Sequence, residues 1–143
     1  VELRAENKFY NTDRLSKFPK SISKLKNLET LVLSGNKITE LPDSVKKLKN
    51  LKTLILKKNE ITKLPESIGT LEKLETLNLK KNELKSLPKS MATLENLKSL
   101  NVKKNEIWVL PKSMRELKKL NTVKLSQEES EEEEEENSYH DFR

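Results

Sequence analysis

The sequence predicts an α/β solenoid, an arc of stacked units with a parallel β-sheet on its concave side and short helical or 3-10 turns on its convex side. Three observations predict it. The five prolines, Pro19, Pro42, Pro65, Pro88 and Pro111, stand 23 residues apart, and the chain has no other. Asn36, Asn59, Asn82 and Asn105 keep the same period, as do Leu28, Leu51, Leu74, Leu97 and Leu120. Residues 28–34 and their equivalents alternate apolar with polar, the pattern of a strand buried on one face. A unit of this size leaves an apolar side bare, so copies must stack to bury a continuous core.

Each element of the unit follows from its residues. One unit runs from Leu51 to Lys73, with near-complete copies at 28–50, 74–96 and 97–119. In the strand, Leu31 and Leu33 point inward while Thr30, Val32 and Ser34 point out. The asparagine then lies inside the turn, where its amide bonds backbone groups that the departing chain leaves unpaired, and successive copies make a ladder. The proline is expected at the first position of a convex helical turn, where its fixed φ fits and its missing N–H costs nothing. Ile68 and Leu71 face the core from that turn. Residues 5–27 read as a degraded first copy, with Lys8 and Tyr10 in place of the two inward leucines and Asp13 at the ladder position. Val1, Leu3 and Ala5 alternate with charged residues, so 1–12 reads as a cap with some strand. At the other end Glu128 stands at the asparagine position, and the array stops in a sixth strand, Thr122 to Leu125. The expected division is a cap and degraded first repeat over 1–27, repeats over 28–125, and an acidic tail over 126–143.

Composition excludes most enzyme classes. Without cysteine there is no disulfide framework, thiol nucleophile or cysteine metal site. The single histidine, His140, cannot make a multi-histidine metal centre or relay. Two glycines are too few for a Gly-rich phosphate loop. Glu60, Glu83 and Glu106 recur at the repeat period, which is a structural cadence rather than an acid–base pair. No enzyme activity, cofactor or metal is expected; His140 and Asp141 beside the glutamates offer a divalent ion only a weak signal. No apolar run approaches the roughly 20 residues of a membrane span. The chain starts at Val1 with no basic-then-apolar leader, so any export signal is expected to have been removed or left out.

The concave face is the functional candidate, because parallel strands set equivalent residues in rows about 5 Å apart. The first outward column is Thr30, Thr53, Thr76, Ser99 and Thr122. The second, Val32, Ile55, Asn78, Asn101 and Lys124, changes from apolar to polar to basic. The third is Ser34, Lys57, Lys80, Lys103 and Ser126, with Lys58, Lys81 and Lys104 beside it. Neighbouring lysine charges at that spacing repel by about 0.8 kcal/mol in water, which is tolerable but not favourable. Two readings stand side by side. The lysines are a solvated face, partly neutralised by the glutamate of each Lys-Lys-Asn-Glu, or they are a basic platform for an acidic protein surface or another anion. Nucleic acid fits poorly, since no aromatic residues interleave the lysines and arginine is confined to Arg4, Arg14, Arg115 and Arg143. Trp108, where other units hold Thr39, Thr62 and Lys85, is either a contact anchor or a patch over the C-terminal end of the core. The candidate partner-binding residues are therefore Thr53, Ile55, Lys57, Thr76, Asn78, Lys80, Ser99, Asn101, Lys103, Trp108 and Lys124.

Charge divides the chain in two. Residues 1–125 hold 28 Lys and Arg against 14 Asp and Glu, a balance of +14, whereas 126–143 hold one Arg against nine acids, a balance of −8. A like-charge block of this kind usually repels itself. Ser126 is placed to cap a short acidic helix, with Tyr139 and Phe142 as its apolar feet. Docking of the tail on a lysine-rich surface of its own or a neighbouring molecule is the expectation.

The unit resembles the leucine-rich repeat family, whose signature L-x-x-L-x-L-x-x-N-x-L it carries over about residues 15–125. The 23-residue form, seen in Leu64-Pro65-Glu-Ser-Ile68-Gly69-x-Leu71 and Leu87-Pro88-Lys-Ser, is similar to two groups: short, cysteine-free, lysine-rich proteins of the leptospiral type, and eukaryotic Ras-suppressor-like or Scribble-like proteins. The first resemblance implies a bacterial secreted or surface protein that binds a partner through its concave face. The second implies a cytoplasmic regulatory scaffold. The lysine and glutamate bias leans toward the bacterial group.

Overall fold

A computed structural model describes residues 2–4 and 14–126. Six strands, β1 (Glu2–Arg4), β2 (Thr30–Val32), β3 (Thr53–Ile55), β4 (Thr76–Asn78), β5 (Ser99–Asn101) and β6 (Thr122–Lys124), form one parallel sheet in chain order. Between β1 and β6 the chain returns through 3-10 turns at Lys20–Lys24, Asp43–Lys47, Glu66–Thr70, Lys89–Thr93 and Lys112–Glu116. The result is the α/β solenoid that the repeat predicts.

Register confirms the period from β2 onward. Thr30 lies opposite Thr53, Thr53 opposite Thr76, Thr76 opposite Ser99, and Ser99 opposite Thr122. The inward leucines Leu31, Leu54, Leu77 and Leu100 are fully buried, as are Ile68 and Leu71 of the convex side. One continuous core runs from Phe18 to Leu117.

The first strand departs from the expectation. Leu3 lies opposite Leu31, 28 residues ahead rather than 23. The period is restored by Leu15, whose N–H donates to Asn36 Oδ1 at 3.0 Å, just as Ile38 donates to Asn59 Oδ1 at 3.1 Å. Five additional residues therefore separate Arg4 from Leu15, and the sheet begins in the segment read as a cap. An apolar residue at the inward position covers Leu31 without burying a charge. Lys8, Tyr10 and Asp13 lie outside the described residues.

The asparagine ladder ties the units together. Asn59 Nδ2 donates to Leu56 O of its own unit and Leu33 O of the preceding one, each at 3.0 Å. Asn82 repeats this with Leu79 O and Leu56 O at 3.0 Å, and its Oδ1 accepts from Ile61 N–H at 2.9 Å. Asn105 does the same with Val102 O, Leu79 O and Leu84 N–H. At the end of the array Ser126 takes over this work. Its Oγ donates to Val102 O at 2.6 Å and accepts from Asn105 N–H at 3.1 Å, and the residue is 1% exposed. Ser126 is thus not an outward concave residue. The helix expected after it, with Tyr139 and Phe142, lies outside the described residues.

On the convex side each proline stands one residue earlier than expected, just before the 3-10 turn, with φ near −54 at Pro111 and −74 at Pro42. Its carbonyl starts the turn by accepting the N–H three residues on, as Pro65 does from Ile68 at 3.0 Å. Hydroxyls then tie one turn to the next: Ser67 Oγ donates to Asp43 O at 3.2 Å, and Ser90 Oγ to Glu66 O at 2.6 Å.

Candidate functional site on the concave face

The first two concave columns form as expected on the middle strands. Thr53, Thr76 and Ser99 stand side by side and half-buried, with Ile55, Asn78 and Asn101 in the next row. Lys124 is exposed on β6, directly beside Asn101. Asn78 and Asn101 each use Oδ1 to hold the turn that follows, accepting from the N–H of Lys80 and of Lys103 at 3.0 Å. Val32, the outward apolar residue of β2, is only 4% exposed, so the ligand-accessible part of this column starts at Ile55.

The third column is not the open basic row that alternation predicts. The strands are three residues long, and beyond them the chain bends, so the inward–outward rule ends before this column. Lys57 and Lys103 are half-buried, but Lys80 is only 5% exposed and Ser34 6%. Among the described residues the Ser34 hydroxyl has no hydrogen-bond partner. The residues beside this column lie in the left-handed region: Gly35 at φ 75, then Lys58, Lys81 and Lys104 at 59, 58 and 56. Glycine adopts that conformation without cost, whereas an L side chain is strained there by roughly 1–2 kcal/mol. This conformation turns the chain out of the sheet and sets a lysine rim.

Glu60, Glu83 and Glu106 are exposed two residues further on, and among the described residues no ion pair joins them to the lysine rows. Each glutamate therefore makes no direct ion pair with the lysines of its own Lys-Lys-Asn-Glu. Ion pairs do stand at the edge where the chain enters the sheet: Lys52 with Glu29 at 3.1 Å and Lys98 with Glu75 at 3.0 Å. The Lys52 hydrogen bond holds the Glu29 carboxyl below its ordinary range. Lys46, followed by Ser67, does the same for Asp43 on the convex side. The charge signs at this edge repeat only every second unit, which is why the spacing did not reveal them.

Trp108 stands apart from the concave columns, on the flank by which the chain leaves the sheet. It is 61% exposed and borders a groove with Lys85, Leu87, Val109 and Pro111. Among the described residues no group of His, Cys, Asp and Glu is arranged to hold a metal, and no helix is long and apolar enough to cross a membrane.

A leucine-rich repeat region profile matches residues 47–139, and a second leucine-rich repeat profile matches 13–61. The chain belongs to the leucine-rich repeat family. Its fold is similar to that of a leucine-rich repeat protein of Leptospira interrogans, at 37% identity and a TM-score of 0.76, over 79% of this chain and 29% of that one. It is also similar to an internalin of Listeria monocytogenes, at 26% identity and a TM-score of 0.66, over 78% of this chain and 32% of that one. A third likeness is to the ectodomain of the Arabidopsis thaliana receptor kinase GASSHO1, solved in complex with Casparian strip integrity factor 2. There identity is 26% and the TM-score 0.70, over 77% of this chain and 14% of that one. This leucine-rich repeat chain spans about a third or less of the length of each. A comparison with curated proteins gave no match. The leptospiral resemblance of the Leu-Pro-x-Ser motif is thus met by a leptospiral structure.

Proposed function

We propose that this chain is a non-enzymatic protein-binding module, bacterial and secreted or surface-exposed, that receives its partner on the concave face. The observation that carries this reading is the register of Thr53, Thr76 and Ser99 beside Ile55, Asn78 and Asn101. These are six partly accessible side chains on three hydrogen-bonded strands. The ladder beneath fixes their spacing, so little ordering cost falls on binding. The Arabidopsis ectodomain with its bound factor supports the binding role. The leptospiral and Listeria neighbours support the bacterial setting. Thr and Asn supply hydrogen bonds, Ile55 an apolar contact, and Lys57, Lys103 and Lys124 steer an acidic surface toward the sheet. The acidic tail then acts as the adjustable element, competing for the lysine border.

The test is capture of host surface proteins by the immobilised full chain. A protein retained by the native chain should bind Ile55→Arg with Asn78→Arg about tenfold more weakly, while a convex control, Lys89→Glu, binds it as the native chain does. Equal capture by the native and concave variants would refute the concave site.

A further inference from the structure

We infer that the groove beside Trp108 docks a short extended segment of a partner protein, one that carries an apolar anchor flanked by acidic residues. Trp108 and Val109 are 61% and 64% exposed. Their equivalents are polar throughout: Thr39, Thr62 and Lys85 for the first, Glu40, Lys63 and Ser86 for the second. Folding does not demand the apolar pair, because the inward residue of this segment is Ile107, which is 4% exposed.

The backbone of this flank also changes along the array. In the early units it is sealed, with Thr62 N–H donating to Thr39 O at 3.2 Å and Glu40 bridging Lys63. Among the described residues the equivalent bonds further on, from Lys85 N–H to Thr62 O and from Trp108 N–H to Lys85 O, are not made, and only the second gap lies beside an exposed apolar pair. A groove of about 340 Å3 opens there, between Lys85, Leu87, Glu106, Trp108, Val109 and Pro111. That volume stands at the small end of ligand sites and holds one or two side chains. An exposed aromatic wall beside backbone groups that make no bond among the described residues suits an extended peptide, which gains main-chain bonds and a pocket together.

Size and charge select the occupant. Trp108 and Val109 together offer a few hundred Å2, well short of the roughly 1,200 Å2 of a stable contact between two folded copies. Lys85 in the groove wall and Lys112 just past Pro111 outweigh Glu106, so acidic flanks on the peptide are favoured. This surface is separate from the concave face, so the two readings fail independently.

Trp108 is the only tryptophan of the chain, so its fluorescence reports on the groove directly. The full chain is titrated with acetyl-Asp-Asp-Phe-Leu-Asp-amide and with its anchorless counterpart acetyl-Asp-Asp-Ser-Ser-Asp-amide. The expected result is a saturable blue shift with the first peptide, at least tenfold tighter than with the second. Lys85→Glu should weaken it, and Lys57→Glu with Lys103→Glu should leave it unchanged. No shift, equal affinity for both peptides, or loss only in the Lys57 and Lys103 variant overturns the proposal. A concentration-dependent shift of the chain alone, with sedimentation as a dimer, assigns the groove to a second copy instead. A redder emission on deleting 127–143 assigns it to the chain's own C-terminal segment. Either result also overturns the proposal.

Discussion

A single asparagine amide carries two donors and one acceptor, and the ladder uses all of them. Asn82 is 8% exposed and meets Leu56 O, Leu79 O and Ile61 N–H, all within 3.0 Å. An alanine there strands the buried Ile61 N–H and leaves Leu56 O and Leu79 O with one partner each, Asn59 and Asn105. Asn82→Ala is therefore expected to lower unfolding stability by about 1–3 kcal/mol, read as a shifted denaturation midpoint at constant slope. An unchanged midpoint would show that the ladder bonds are dispensable. The ladder was legible because the same need arises in every unit and the same residue answers it. Ser126 was not, because it meets that need once, two residues before the position that the period marks. Lys80 was misjudged for a different reason: alternation describes strand geometry, and the strand has ended by that residue.

At the scale of elements, units that share one sequence pattern pack with different closeness. A Cβ built on Gly69 would come within 2.3 Å of Ser90 O, so the turns Glu66–Thr70 and Lys89–Thr93 approach as closely as a bare backbone permits. Ala92 occupies the equivalent position one unit later and already carries a methyl group. Gly69→Ala should therefore cost about 1–3 kcal/mol through a forced backbone shift, whereas Ala92→Gly should cost only the flexibility penalty of roughly 0.5–1 kcal/mol. Thermal unfolding of the two variants separates them, and equal losses would place the close approach elsewhere. The strand and turn order was legible because period and alternation specify both. The start of the sheet was legible in part: the alternation around Leu3 announced strand in the cap, and β1 lies there. Its offset was not, because the five additional residues between Arg4 and Leu15 carry no repeat signal.

For the molecule as a whole, charge is the property that the fold does not absorb. A body of +14 is joined to a segment of −8. The junction is pinned beside the last strand by Ser126, whose N–H donates to Ile107 O at 2.8 Å. A tether of some ten residues sets an effective concentration in the millimolar range wherever geometry allows contact. Lys124 and Lys104 are the nearest basic residues of the concave border. Each exposed pair contributes only about 0–1 kcal/mol, so a tail on this border would be displaced readily by a partner with better-placed acids. Deleting 128–143 should raise affinity for heparin, used as a generic polyanion, by more than the change in net charge alone. A control with the same acidic segment moved to the N-terminus keeps the net charge and removes the proximity. Stronger heparin binding by that control than by the native chain is the expected outcome, and the difference should shrink as salt shortens the field to about 8 Å. Equal binding would mean that the tail acts only through bulk charge, and masking of the lysine border would have to be abandoned.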